Sequence, residues 1–369
     1  MRVAGIVAEY NLFHQGHAFL LAQTRAAGAT HIVCVLSGNF VQRGAAAIVR
    51  KEARAAAAIA AGADLVLELP VTFALSPARR FAYGSVFLLD ALGCVDTLSF
   101  GSECGNVSAI QNTARALSLP ETQALLHAQL RQGLSFAAAA ELALHTEYAD
   151  LGDILRTPND TLGVEYCAAL AELHSTMRPM AVQRITGSGT RAADLRRAWH
   201  DGADVLPLLP EATQVVVRAE IAAGRAPVRG ERLETAILAR LKSMRTEQFA
   251  DLPEVREGLE NRLYKAARTA GSLDELIALV KTRRYTHASL RRTALHALLG
   301  IGKSDCAPVP PYIRVLAMGA GAAEILRAAK HSARLPIVQR GAQLRRLDTT
   351  AQTTAALERR VDDIYNLDP

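Results

Sequence analysis

The beginning of the chain constrains its fold most, because a short apolar run there leads through a histidine-rich turn into a second apolar segment. The run at residues 3–7 predicts a buried strand of a parallel sheet, and residues 18–22 predict a helix packed on that strand. The turn between them contains four residues suited to contacting a ligand: Asn11, His14, Gly16 and His17. A strand followed directly by a helix places this turn at the carboxyl edge of the sheet, where open α/β sheets bind their ligands.

The chemistry of this turn favours a phosphate ligand. The first turn of a helix offers free backbone N–H groups and the positive end of the helix dipole. Gly16 lets the backbone come close to an anion, and His14 and His17, three residues apart, share one helical face. The plainer alternative is a helix start that carries two polar histidines and binds nothing.

The order strand, N-x-x-H-x-G-H, helix resembles the nucleotide-binding motif of the nucleotidyltransferases that share a Rossmann-like fold with class I aminoacyl-tRNA synthetases. In that superfamily the two histidines stabilise the α- and β-phosphates of ATP while the α-phosphorus is attacked. The resemblance therefore implies that His14 and His17 are catalytic residues of a nucleotide site.

The rest of the chain predicts two parts. Strands alternate with helices in the first part and predict a doubly wound, parallel α/β sheet, with strands at 31–36, 64–69, 97–100 and 180–185. Helical periodicity then dominates, with helices predicted near 211–223, 232–243, 254–269, 272–281, 286–299 and 350–365. Because 369 residues exceed the roughly 250–300 of a single core, we expect a catalytic domain over 1–204 and a mainly α-helical domain over 205–369.

Composition narrows the class of protein. The five cysteines form no C-x-x-C pair, which indicates free thiols of a reducing cytosol rather than a zinc site. No apolar run approaches the roughly 20 residues of a membrane span, and no signal peptide is visible, so we expect a cytoplasmic protein. The formal charge of +6 is compatible with phosphate or nucleic-acid ligands.

Three polar segments outside the first motif are candidates for contacts with anions. Asn39 and Gln42 lie in a glycine-containing loop after the second predicted strand. Lys51 lies at a helix start, where a cation opposes the helix dipole and indicates an anion nearby. The segment 281–292 contains five lysine and arginine residues and no acidic residue, a mixture that suits RNA, although a solvated basic helix start is the plainer alternative.

Ten motifs together resemble one bacterial family, the tRNA(Met) cytidine acetate ligases. They span nearly the whole chain and occur in this order: A-E-Y-N-L-F-H-Q-G-H at 8–17, S-G-N-F-V-Q-R-G at 37–44, A-D-L-V-L-E-L-P at 63–70, F-G-S-E at 100–103, P-N-D-T-L-G-V-E-Y at 158–166, E-G-L-E-N-R at 257–262, K-T-R-R-Y-T at 281–286, Y-I-R-V-L at 312–316, L-P-I-V at 335–338 and D-I-Y at 363–365.

The resemblance implies a two-step reaction on two substrates, acetate and elongator tRNA(Met), without acetyl-CoA. Acetate attacks the α-phosphorus of ATP, and N4 of the wobble cytidine, position 34, then takes the acetyl group to form N4-acetylcytidine. Mg²⁺ is expected with any triphosphate. Carried over by position, the implied ATP contacts are Val7, Ala8, Glu9, Tyr10, Asn11, Leu12, Phe13, His14, Gln15, Gly16, His17, Ala18, Phe19, Leu20, Gly101, Asn159 and Arg184.

Further contacts are our own hypotheses. Asn39 or Gln42 would position acetate, and Lys51 would reach the phosphates. Basic residues of one segment would hold phosphates of the anticodon stem: Lys281, Arg283, Arg284, Arg291 and Arg292.

One segment, 187–197, departs from the family. The family has a glycine-rich loop and then a helix start rich in serine and threonine, whereas here the loop is shorter and the hydroxyls are missing. Either Arg191 and Arg196 compensate by contacting phosphate, or the ATP site is weakened.

Two other functions stay open at this stage. A small-molecule adenylyl- or cytidylyltransferase would share the first motif but ignore tRNA. A catalytically weakened relative would bind tRNA and show no exchange of pyrophosphate with ATP. The sequence indicates no obligate protein partner for any of the three.

Overall fold

The structure, a computed structural model, describes residues 1–184, 191–256 and 258–368. Within these residues the chain forms nine strands: β1 (Val3–Ala8), β2 (His31–Ser37), β3 (Phe40–Val41), β4 (Ala45–Ala46), β5 (Leu65–Leu69), β6 (Thr97–Ser102), β7 (Arg178–Gln183), β8 (Ile313–Met318) and β9 (Ile337–Val338).

The helices of the first part surround these strands: α1 (Gln15–Ala26), α2 (Lys51–Ala60), α3 (Val71–Ala74), α4 (Ala78–Leu92), α5 (Val107–Ser118), α6 (Pro120–Arg131), α7 (Phe136–Glu147), α8 (Ala149–Gly152), α9 (Pro158–Glu172) and α10 (Ala192–His200). The second part continues with α11 (Glu211–Ala222), α12 (Glu231–Ser243), α13 (Thr246–Ala250), α14 (Leu259–Thr269), α15 (Leu273–Val280), α16 (His287–Leu299), α17 (Ala322–Ser332), α18 (Gly341–Leu344) and α19 (Thr349–Tyr365).

Seven of the strands form one sheet in the order β7-β6-β1-β2-β5-β8-β9. The chain runs outward from β1 through β2 to β5 and then returns to the other side of β1 with β6 and β7, all parallel. This reversal puts the topological switch point between β1 and β6. The carboxyl ends of these two strands therefore border the crevice in which such sheets bind ligands.

Alternation along the strands explains why helices cover both faces of the sheet. In β2, Val33 and Val35 face one core, which α4 and α9 complete, whereas Ile32 and Cys34 face a second core with α1 and α2. Every residue of β2 is buried, as expected for a central parallel strand. The predicted doubly wound α/β fold is confirmed.

The edge of the sheet differs from the expected all-parallel arrangement. Strand β8 pairs antiparallel with β5, so the sheet is mixed, and β9 pairs parallel with β8. These two strands belong to the part expected to be mainly helical, and they extend the sheet of the first part. An antiparallel strand added near the edge of an otherwise parallel sheet is common.

The second part forms a helical core of its own that also packs on the first part. Buried apolar residues of α12, α14, α15, α16 and α19 share this core with Phe40 and Leu75. The division at residue 204 stays a prediction. In the part of the chain that the structure describes, no helix is both long and apolar enough to cross a bilayer.

Candidate nucleotide site at the switch point

The two histidines of the first motif form the start of α1. His14 is the N-cap residue, and its Nδ1 accepts a hydrogen bond from the backbone N–H of Gly16 at 3.0 Å. In return, Nδ1 of His17 accepts from the backbone N–H of His14 at 3.2 Å. The two rings stack, with centroids 3.8 Å apart and planes 24° from parallel. This reciprocal capping fixes both imidazoles at the helix N-terminus.

These contacts determine the protonation of both rings. Because each Nδ1 accepts a hydrogen bond, the neutral tautomer carries its proton on Nε2. Burial, followed by the charges of Arg184 and Arg196, lowers the pKa of His14 to about 4. Burial, His14 and Arg184 lower the pKa of His17 well below its usual range. At neutral pH the site therefore presents two neutral Nε2–H donors beside the positive end of the helix dipole.

Arg184 and Gly101 lie side by side across the switch point. The backbone N–H of Arg184 donates to the carbonyl of Ser102 at 2.8 Å, which continues the pairing of β6 with β7. The Arg184 side chain passes over Gly101, where an added Cβ would lie 3.7 Å from Arg184 Cγ. Its side chain is 40% exposed, and its positive charge contributes to the lowered pKa of both histidines.

Asn159, in the first turn of α9, meets the end of β6 through Glu103. The Asn159 Nδ2 donates to Glu103 Oε1 at 2.5 Å. The neighbouring Asp160 accepts from the backbone N–H groups of Glu103 and Cys104, at 3.1 and 3.0 Å, and so anchors α9 to this strand. Gly101, Asn159 and Arg184, far apart in sequence, thus join the histidines at one edge of the sheet.

Glu103 is the residue of this group that sequence reasoning missed. It stood in the F-G-S-E motif, so the motif signalled the position, but nothing local indicated that its carboxylate reaches the start of α9, 56 residues later.

The segment 7–20 divides into core and accessible residues. The side chains of Tyr10, Leu12 and Phe13 are buried in apolar cores, so they can meet a nucleotide only through their backbone. Gln15 and Gly16 are exposed. Asn11 and His14 are buried. The remaining residues of the segment are half-buried: Val7, Ala8, Glu9, His17, Ala18, Phe19 and Leu20.

Arg196, on α10, reaches the first motif, whereas Arg191 is the exposed N-cap residue of that helix, and contact of either with phosphate stays a prediction. The Arg196 guanidinium donates to the backbone carbonyl of Asn11, and the Asn11 Oδ1 accepts from the backbone N–H of Ile48 at 2.9 Å. The predicted loop at 187–190 lies outside the described residues.

Two of the three hypothetical acetate or phosphate contacts near β2, Lys51 and Asn39, have side-chain partners within the protein, whereas contact of the Gln42 side chain with acetate stays a prediction. The Lys51 Nζ lies 2.6 Å from both Glu68 Oε1 and Asp362 Oδ2, and the side chain is only 5 % exposed. Asn39 is committed to the same cluster, because its Oδ1 accepts from the Lys51 backbone and its Nδ2 donates to Asp362. Gln42 contributes its backbone N–H to Glu9 Oε1 at 2.7 Å. The anion that Lys51 indicated is therefore a pair of carboxylates.

The basic segment also divides. Lys281, Arg283 and Arg284 are exposed, and Arg291 is 41 % exposed beside Asp274. Arg292 is buried, and its guanidinium makes a two-pronged ion pair with Glu254 at 2.5 and 2.6 Å. This arginine already has a buried partner, so the tRNA surface proposed below uses the other four residues of the segment.

No cluster of three or more His, Cys, Asp or Glu side chains able to hold a metal ion occurs in residues 1–184, 191–256 and 258–368.

Comparisons with known proteins agree with this architecture. A family model described as HIGH Nucleotidyl Transferase matches residues 1–368. The chain is 35% identical to the tRNA(Met) cytidine acetate ligase of Acetivibrio thermocellus, over 99% of this chain and 94% of that protein. It is 36% identical to the protein of the same name from Syntrophomonas wolfei, over 100% of this chain and 95% of that protein.

Solved structures give the same result. The crystal structure of Thermotoga maritima TmcAL bound with alpha-thio ATP matches with a TM-score of 0.93 and 32% identity, over 100% of this chain and 94% of that chain. The apo form of the same protein matches equally well, with a TM-score of 0.93. The resemblance drawn from the ten motifs is confirmed, and the chain belongs to the tRNA(Met) cytidine acetate ligases, a family of ligases among the HIGH nucleotidyltransferases.

Proposed function

We propose that this enzyme uses ATP to activate acetate as acetyl-adenylate and transfers the acetyl group to N4 of cytidine 34 in elongator tRNA(Met). The observation that carries the proposal is the pair of neutral, reciprocally capped histidines at the start of α1, which faces Arg184 across the switch point. Membership of the family supports the choice of substrates. Such an enzyme works in the cytoplasm, where ATP and tRNA occur together.

In the first step an acetate oxygen attacks the α-phosphorus of ATP. The bond from that phosphorus to the oxygen bridging to the β-phosphate breaks, and pyrophosphate leaves. The Nε2–H groups of His14 and His17 donate to the phosphates, and Arg184 adds a full positive charge. Because both imidazoles are already neutral and fixed, they meet the developing charge without reorganisation. A Mg²⁺ ion accompanying the triphosphate would add further neutralisation of its charge.

In the second step N4 of the cytidine attacks the acetyl carbonyl carbon. The bond from that carbon to the phosphate oxygen breaks, AMP leaves, and N4 loses a proton. The wobble base lies in a single-stranded loop, so it can enter a pocket without disruption of a duplex. The products are N4-acetylcytidine and AMP.

The tRNA backbone would lie along the exposed cations Lys281, Arg283, Arg284 and Arg291. The segment meets the first part of the chain at Gly44, where an added Cβ would lie 2.7 Å from Arg291 Cβ. The loop that contains Gly44 also holds Gln42, which bonds to Glu9 at the end of β1. The loop that holds Gln42 and Gly44 thus connects the basic segment to the end of β1, the strand that leads to the histidines.

Mass spectrometry of tRNA nucleosides tests the proposal. Purified enzyme is incubated with ¹³C-labelled acetate, ATP and a transcript of elongator tRNA(Met), and labelled N4-acetylcytidine is expected. A transcript with uridine at position 34 and an enzyme with His14→Ala and His17→Ala are the controls, and neither should give product. Pyrophosphate release with a small acceptor and no labelled tRNA would favour the adenylyltransferase alternative. tRNA binding without pyrophosphate exchange would favour the catalytically weakened relative.

A further inference from the structure

We propose that Glu103 is a positioning residue for nucleotide binding, holding the Asn159 amide and the Arg184 guanidinium in the orientation that ATP requires. The inference rests on the proposed nucleotide site and deepens it, because it assigns a role to a side chain that does not itself bind the nucleotide.

The contacts of Glu103 with α9 are direct. Its Oε1 accepts from Asn159 Nδ2 at 2.5 Å, and its Oε2 accepts from the backbone N–H of Asp160 at 3.2 Å. A carboxylate at the first turn of a helix is also favoured by the helix dipole. Both oxygens of Glu103 therefore accept a hydrogen bond from the start of α9.

These contacts determine how Asn159 faces the site. An ionised carboxylate only accepts hydrogen bonds, so the group of Asn159 that meets Glu103 must be its NH₂. The Asn159 Oδ1 then points away from Glu103 as an acceptor. Such an acceptor suits a donor on the nucleotide, either a ribose hydroxyl or the exocyclic amino group of adenine.

The contact of Glu103 with Arg184 is longer than its contact with Asn159. Arg184 Nε lies 4.0 Å from Glu103 Oε1, and the two side chains are 40% and 30% exposed. At this distance the carboxylate attracts the guanidinium toward the site without fixing it in a hydrogen bond. Arg184 can therefore turn onto a phosphate when the nucleotide binds. One carboxylate oxygen thus couples an acceptor for the nucleoside to a cation for its phosphates.

The substitution Glu103→Gln tests the proposal, because an amide cannot accept both hydrogen bonds and carries no charge. We expect the Kd for ATP, measured by calorimetry without acetate or tRNA, to rise about tenfold, as expected for loss of a charged hydrogen bond. In acetate-dependent ATP–pyrophosphate exchange, the KM for ATP should rise similarly, while kcat stays within about threefold. Glu103→Asp, which keeps the charge but shortens the reach, should fall between the wild type and Glu103→Gln.

The matched control is Glu172→Gln at the other end of α9, where the carboxylate makes an exposed ion pair with Arg79. It should leave both the Kd and the KM for ATP unchanged. A thermal melt of each variant separates a loss of folding from a loss of binding.

Coupling gives the sharper test. If Glu103 acts through Asn159, adding Glu103→Gln to Asn159→Ala should weaken ATP binding by no more than about threefold beyond Asn159→Ala alone. The proposal is overturned if Glu103→Gln binds ATP within twofold of the wild type. It is equally overturned if the two substitutions are additive, if kcat falls in parallel with the melting temperature, or if the wild-type enzyme binds no ATP. Because ATP binding is measured alone, a wild-type enzyme that binds ATP but forms no N4-acetylcytidine would refute the proposed function and leave this test in force.

Discussion

At the scale of single residues, the neutral state of His14 has a thermodynamic consequence. Burial and two arginines lower its pKa from the usual 6.5 to about 4, so the unfolded chain binds a proton more readily than the folded one between these values. The stability that this residue contributes is therefore complete above pH 6.5 and is lost as the pH falls toward 4.

We accordingly expect His14→Asn to reduce the acid sensitivity of the fold. Asparagine keeps an oxygen that can cap the Gly16 N–H but does not titrate. The decrease in unfolding free energy from pH 7.5 to pH 4.5, measured by denaturant titration, should be smaller by about 2 kcal/mol in this variant than in the wild type. His127→Asn, at an exposed position of α6, is the control and should change nothing. An identical pH dependence for wild type and His14→Asn would contradict the prediction.

Lys51 carries a second prediction at this scale. Burial alone would lower the pKa of its amine, but Glu68 and Asp362 raise it above its usual value, so the buried ammonium stays charged. Lys51→Met would leave these carboxylates without a cation and should lower the unfolding free energy by about 3 kcal/mol or more. Arg245→Met, which removes an ion pair that is more than 80% exposed on both sides, should cost less than about 0.5 kcal/mol. Loss of ATP affinity by Lys51→Met at unchanged stability would instead restore Lys51 as a phosphate ligand.

These residues also show where sequence reasoning about the site fails. The histidine pair was predictable because its partners are two and three residues away and are set by helix capping itself. The carboxylate partners of Lys51 lie 17 and 311 residues away, and that of Arg292 lies 38 residues away. A cation's local sequence does not reveal whether folding will bring it a carboxylate. All of the ATP contacts, those of the two histidines included, stay predictions.

At the scale of elements, a helix or strand is predictable from sequence when the residues that determine it lie within the element itself. The sequence predicts a helix over 77–92, and α4 follows that span closely, since its apolar pattern and its Gly93 cap lie in the segment itself. Strand β8 was not predicted as a strand. Its pairing partner, β5, lies about 250 residues earlier, and its residues alternate between buried and half-buried at the start of the strand only, which gives a weak apolar pattern.

The junction of α4 with α17 gives a prediction at this scale. Gly93 ends α4 with φ of +75°, and a Cβ added there would lie 2.3 Å from the Ser332 carbonyl oxygen at the end of α17. Gly62, after α2, also has a positive φ, of +105°, but nothing lies within 4 Å of its added Cβ. Gly62→Ala should cost about 1 kcal/mol from backbone strain alone. Gly93→Ala should cost about 2 kcal/mol more, because the two helix ends must separate. Equal costs in denaturant titrations would show that the contact with α17 is easily relieved.

At the scale of the whole molecule, two charge distributions serve different purposes. The buried cations Lys51, Arg54 and Arg292 connect the sheet, its loops and the helical part through carboxylates and carbonyls. The exposed cations Lys281, Arg283 and Arg284 lie between α15 and α16 of the helical core, and no ion pair found among the described residues includes them. The net charge of +6 therefore does not describe one uniform basic surface.

This separation predicts that tRNA binding and acetate activation can be altered independently. Replacement of Lys281, Arg283 and Arg284 by alanine should weaken tRNA binding at least about tenfold near 0.1 M salt. The same change should flatten the dependence of log affinity on log salt concentration by about 2 to 3, one counterion for each lost phosphate contact. Acetate-dependent ATP–pyrophosphate exchange should stay at the wild-type rate, because the histidine pair and its surroundings are unchanged.

The control for the tRNA prediction removes the same charge elsewhere. Arg345, Arg346 and Arg359 are exposed on α19 and in the turn before it. Their replacement by alanine lowers the net charge by three as well, so any general electrostatic effect on tRNA should be equal in the two variants. A local phosphate-binding surface requires the first variant to lose more affinity and more salt dependence than the second. Equal losses would mean that tRNA senses only the overall charge, and the tRNA surface would then have to be sought nearer the sheet edge.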